Sequence, residues 1–84
     1  MQSHIKLSPN PAKRSCTVSY FSNNSFRSDL MVFDILGKVV LKKNVVISKG
    51  TNTFRLETNR LAPGLYFIRL ANAGIANVER LVVQ

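Results

Sequence analysis

Over most of this chain apolar residues recur at every second position, in short runs broken by Gly, Pro, Asn, Asp and Ser at roughly the 8–12-residue spacing of an all-β protein. No helical stripe persists beyond a turn, so the pattern predicts strands. In SCTVSYF, residues 15–21, Cys16, Val18 and Tyr20 share one face, and the SNNS that follows is turn chemistry. DLMVF, residues 29–33, is apolar on both faces at Leu30, Met31, Val32 and Phe33, which predicts a central strand. KVVLKKNVVI, residues 38–47, runs into SKGTN. NTFRLET, residues 52–58, alternates Phe54 and Leu56 with Thr53, Arg55 and Glu57. Residues 65–71 and 78–83 give two further strands, with NAG at residues 72–74 turning the chain between them. Residues 5–7 begin an edge strand that the chain leaves at SPNP, where Pro9 and Pro11 bias the backbone towards extended conformations.

About seven short antiparallel strands predict an all-β fold, a small immunoglobulin-like β-sandwich in preference to a closed barrel. Residues 1–84 read as a single domain without internal repeats, with residues 1–4 expected to be disordered or foreign to the native chain.

The connections are more specific than the strands. DILG, residues 34–37, suits a four-residue turn. Asp34 comes first, where its carboxylate can accept backbone N–H groups, and Gly37 comes last, where positive φ returns the chain to a strand. This predicts a hairpin with a bulge at Gly37. Gly50 suits positive φ in the next turn. In LAPGLYF, Pro63 and Gly64 stand in the order of positions two and three of a type II turn, with Leu61 beneath it and Tyr66 offering its hydroxyl to the backbone.

Composition narrows the chemistry. A chain of 84 residues hides only about 60% of its unfolded surface, so a large pocket is not expected. With 45% apolar and 19% charged residues it has the makings of a core and should fold. The lone Cys16 can form no internal disulfide and reads as a small buried hydrophobe, and the lone His4 has no partner for acid–base work. Asp29, Asp34, Glu57 and Glu79 are scattered over separate elements, whereas a catalytic carboxylate needs a second acid, a His or a metal cluster nearby. No catalytic residue, metal ligand, cofactor or small-molecule substrate is therefore assigned, and the chain is not read as an enzyme.

The net charge of +8 raises nucleic acid, anionic lipid or acidic glycan as partners. The basic residues are interspersed, however, and neighbours such as Lys42 and Lys43 point to opposite faces of a strand. A nucleic-acid groove would interleave such charges with stacking aromatics, and Phe33, Phe54, Tyr66 and Phe67 lie on strand patterns that look like core or half-core. Nucleic acid is set aside. Asn23 begins an NNS triplet that a secretory host could glycosylate. No segment reaches the roughly 18 apolar residues of a membrane helix, and MQSHIK lacks a signal-peptide core.

The order SPNP, alternating strand, DILGKVV, KGTN, LAPGLYFIRL and a final ERLVV strand resembles the C-terminal sorting domain of cargo proteins of the type IX secretion system of Gram-negative bacteria. The resemblance covers about residues 5 to 84. Pro9, Asn10 and Pro11 match the family's opening motif. Asp34, Gly37, Lys38 and Val40 match its central hairpin, Gly50 and Asn52 the next turn, and Leu61, Gly64 and Tyr66 the motif before the penultimate strand. Arg80, Leu81, Val82 and Val83 match its terminal segment. The chain departs from the pattern in ending on neutral Gln84 and in placing Cys16 where an aliphatic is usual.

The resemblance implies an address label on an upstream cargo domain of the same precursor. It passes through the periplasm, is recognised by the outer-membrane translocon, and is removed by a surface protease of the sortase type, which leaves the cargo at the cell surface or in the medium. Recognition through a sheet edge is one route, with the last strand as the natural candidate and an edge-strand dimer as a related association. The alternative reading is an immunoglobulin-like adhesion or carbohydrate-binding module, which calls for an exposed aromatic platform that the pattern does not suggest.

Overall fold

The computed structural model describes residues 4–71 and 77–84. Seven strands occupy them: β1 (Ile5–Ser8), β2 (Ser15–Ser22), β3 (Phe26–Phe33), β4 (Val39–Ile47), β5 (Gly50–Glu57), β6 (Gly64–Leu70) and β7 (Val78–Val83). They form two antiparallel sheets, one in the order β1-β2-β5 and the other in the order β4-β3-β6-β7. The protein is thus a small immunoglobulin-like β-sandwich.

Alternation decides what lies between the sheets. Cys16, Val18 and Tyr20 of β2 and Leu56 of β5 face inward from the three-stranded sheet. They meet Leu30 and Val32 of β3, Val45 and Ile47 of β4, Ile68 and Leu70 of β6, and Leu81 and Val83 of β7. Burying each large aliphatic contributes about 1.5–3 kcal/mol. The Cys16 thiol is part of this layer, and burial pushes its pKa up from the ordinary thiol value.

β3 holds the centre of the four-stranded sheet, paired with β4 on one side and β6 on the other, as its two-faced apolar pattern predicts. β1 is an edge strand of the smaller sheet. The chain then crosses to the other sheet, where Ala12 makes a parallel bridge to Val83 of β7. The turn expected at residues 72–74, and residues 1–3 of the expected disordered start, lie outside the described residues. His4 is held through its backbone N–H, which donates to Asn77 Oδ1 at 3.1 Å.

Candidate functional site

The sequence-marked residues do not gather around one cavity: Asp34 and Gly37 border one groove, Pro9 and Pro11 another. They close the fold at separate places, and two sets meet although they stand at opposite ends of the chain. Asn10 Nδ2 donates to the Arg80 carbonyl at 2.8 Å, and Asn10 Oδ1 accepts the Val82 N–H at 2.9 Å. One residue further on the backbone takes over. The Ala12 N–H donates to the Val82 carbonyl at 2.7 Å, and the Gln84 N–H donates to the Ala12 carbonyl at 2.8 Å. The Arg80 N–H is taken by Glu79 Oε1 at 3.1 Å.

The side-chain amide of Asn10 carries the same donor and acceptor as a peptide unit, so it continues along β7 the pairing that Ala12 makes with its main chain. Pro9 and Pro11 on either side have no N–H that would need a partner here. Both are exposed, and the Ser8–Pro9 and Asn10–Pro11 bonds are cis.

This latch corrects one expectation. The terminal strand is not an open edge, because its outward donors and acceptors from Arg80 to Gln84 are already engaged. An added strand, or a second copy pairing edge to edge at β7, would have to displace Asn10 and Ala12 first. The sequence hid this because Pro-Asn-Pro has a sufficient local reading as a strand breaker.

Asp34 organises the β3–β4 connection. Its Oδ1 accepts the N–H groups of Leu36 and Lys38, both at 2.9 Å, and its carbonyl accepts the Gly37 N–H at 3.0 Å. Gly37 has φ +83°. The carboxylate thus works as a turn acceptor, as expected. The bulge lies elsewhere than expected: Val32 pairs with Leu41 and Phe33 with Val39, so Val40 is the extra residue. Gly37 supplies the positive φ, and Val40 absorbs the register shift. Lys38 and Val40 are both exposed.

Asn52 is buried and fixes the next turn. Its Oδ1 accepts the Ser48 N–H at 2.8 Å, and its Nδ2 lies within hydrogen-bond distance of the carbonyls of Ser48, Gly50 and Tyr20. Gly50 there has φ +106°. Before β6 the expected type II turn at Pro63 and Gly64 is not what forms. A type II turn wants φ near +80° at its third position, whereas Gly64 has φ +156° and already pairs with Val83. The hydrogen-bonded turn comes earlier, from the Leu61 N–H to the Thr58 carbonyl at 3.0 Å. The Ala62 carbonyl is satisfied by the Tyr66 hydroxyl at 2.6 Å, and Leu61 packs against the core.

In β7, Leu81 and Val83 are buried, while Arg80 and Val82 face solvent. Lys42 lies 3.7 Å from Asp29, and Lys43 Nζ reaches the Arg55 carbonyl on the other sheet, so the two neighbouring lysines do diverge. Phe54 and Tyr66 join the core as expected. Phe33 and Phe67 are half-buried, within the same expectation, as register partners on the outer face of the four-stranded sheet.

The distinctive residues of this small sandwich thus shape its turns and seal one sheet edge. The comparison with known families is specific. A family model described as a secretion system C-terminal sorting domain matches residues 6–84. The chain belongs to this family, the C-terminal sorting domains of the type IX secretion system, whose members are exported to the cell surface or the medium. No curated protein sequence matches the chain.

Proposed function

We propose that the folded domain is the signal read by the outer-membrane translocon of type IX secretion after its precursor has reached the periplasm. A sortase-type surface protease then removes it from an upstream cargo. The observation that carries this reading is that the family match, residues 6–84, contains both halves of the Asn10–β7 latch. The matched stretch is therefore one self-closed unit, which suits a signal recognised as a fold rather than as a linear tag. Pro9, Asn10, Pro11, Asp34, Gly37, Gly50, Asn52, Leu61, Gly64 and Tyr66 serve by holding that fold. Arg80, with its backbone in the latch and its side chain exposed, is the residue of the terminal motif best placed to be read directly.

The test is a fusion of residues 1–84 to the C-terminus of a periplasm-directed fluorescent protein in a type IX-competent host. Export to the surface or medium, with loss of the domain from the mature product, is the expected result. Periplasmic retention of an intact, folded fusion would count against the sorting role, and export without trimming would remove the protease step alone.

A further inference from the structure

The two outer faces of the sandwich differ in chemistry. On the three-stranded sheet the outward positions of β2 and β5 are Ser15, Thr17, Ser19, Thr51, Thr53, Arg55 and Glu57 with one aromatic, half-exposed Phe21, so this face is mostly the hydroxyl-rich surface expected of a sheet with one wet side. On the four-stranded sheet the outward positions of the two central strands include Met31 and Phe33 of β3 and Leu65 and Phe67 of β6. Val78 and Val82 extend this apolar surface on β7, 37% and 38% exposed. The Phe33–Phe67 end of the central strands is therefore apolar on both sides although only its inner side is covered, while Arg27, Asp29 and Arg69 hold the remaining outward positions.

The Asp34–Lys38 turn repeats the anomaly. Its hydrogen bonds run through Asp34 and backbone N–H groups and place no demand on the side chains at its tip, positions that polar residues usually occupy. Ile35 and Leu36 nonetheless stand there, 69% and 88% exposed. Between this turn and β6–β7 lies a groove of about 420 Å³, lined among others by Phe33, Ile35, Phe67, Arg69 and Val78.

The charges around the apolar surface are mostly basic. Arg27, Lys42, Arg69 and Arg80 occupy outward positions of the same sheet, against two carboxylates: Asp29, which lies beside Lys42, and Asp34 at the groove, whose Oδ1 is engaged by the N–H groups of Leu36 and Lys38. A second copy would bring like charges together, which disfavours self-association through this face. Exposed apolar surface rimmed by charge marks an interaction site, and arginines beside aromatics suit carboxylates on a partner.

We propose that this face is where the sorting domain is recognised, and that its partner is an acidic protein surface that places an apolar side chain in the groove beside Phe33 and Phe67. This rests on the sorting role and adds to it the surface and the chemistry of the receptor.

The test uses the fluorescent fusion in the type IX-competent host, with thermal melts of the purified domains as the control for folding. Arg69→Glu and Leu36→Glu should melt like wild type yet lose export by about tenfold or more, since like-charge juxtaposition costs several kcal/mol and each 1.4 kcal/mol is tenfold. Arg69→Lys and the opposite-face variant Thr53→Glu should export normally. A photo-crosslinking benzoylphenylalanine at position 36 should give a protein adduct that is absent when the group is placed at position 53. If wild type is not exported, the sorting role itself fails. If wild type is exported and both glutamate variants match it, this surface is not the one read. Leu36→Glu remains decisive if Arg69→Glu is misfolded. Export of Arg69→Glu equal to that of Arg69→Lys, or a crosslink to lipid alone, would overturn the acidic protein partner.

Discussion

Asp34 and Lys38 hold each other from both directions: the Lys38 N–H donates to Asp34 Oδ1 and the Asp34 N–H donates to the Lys38 carbonyl, each at 2.9 Å. The turn they close requires Gly37 at φ +83°. A Cβ built on Gly37 meets nothing within 4 Å, so any cost of substitution there is conformational. Gly37→Val should destabilise by at least the roughly 1–2 kcal/mol of a left-handed residue, and Gly37→Asn by less, because Asn visits that region more readily. Chemical denaturation of the three proteins checks the order. Coincident midpoints for wild type and Gly37→Val would contradict it.

Asn10 makes two hydrogen bonds to β7 with one side chain. At a net 0.5–1.5 kcal/mol for each bond, Asn10→Ala should lower stability by about 1–3 kcal/mol. Asn10→Asp keeps the acceptor for the Val82 N–H but faces the Arg80 carbonyl with a second acceptor, so it should recover little of the loss. Urea midpoints measured at unchanged slope distinguish this from a change in the unfolded state.

Neighbouring positions in β7 should separate signal from scaffold. Leu81 is fully buried, and Leu81→Ala should cost about 2–5 kcal/mol. Arg80→Ala changes an exposed side chain and should stay within about 0.5 kcal/mol of wild type, while reducing export of a fused reporter. An unchanged melt with unchanged export would make Arg80 only a solvated charge.

Cys16 offers a pH test. Burial raises the folded-state pKa of its thiol, so the native state holds its proton where the unfolded chain has begun to lose it. Below the unfolded value, about 8.5, the group does not alter stability with pH. Above it the unfolded state gains by ionising, and stability falls until the folded thiol titrates as well. Cys16→Ala should remove this part of the alkaline decline. The difference between the two stability–pH curves isolates it from the lysines and tyrosines.

The strands were legible because a period of two leaves little choice once one face must be buried, and Asp34 could be read as a turn acceptor because all its partners lie within four residues. Two features were not legible. At residues 61–64, the Pro-Gly order suited a type II turn, but strand pairing at Val83 claimed Gly64 and the Tyr66 hydroxyl claimed the Ala62 carbonyl. Asn10 had a sufficient local reading, and nothing local points to backbone atoms 70 and 72 residues away. Phe33 and Phe67, read as core or half-core, are half-buried, but alternation alone did not say that their open side faces outward.

The latch also orders events in time. Asn10 is made 72 residues before Val82, whose N–H it holds, and Ala12 likewise waits for Val82 and Gln84. A chain broken off before Val78 leaves Asn10 with nothing to clasp and β6 without its β7 partner, so it cannot assume the closed shape however long it waits. A receptor that reads only the closed sandwich, as proposed above, would therefore pass over a sorting domain cut short of β7.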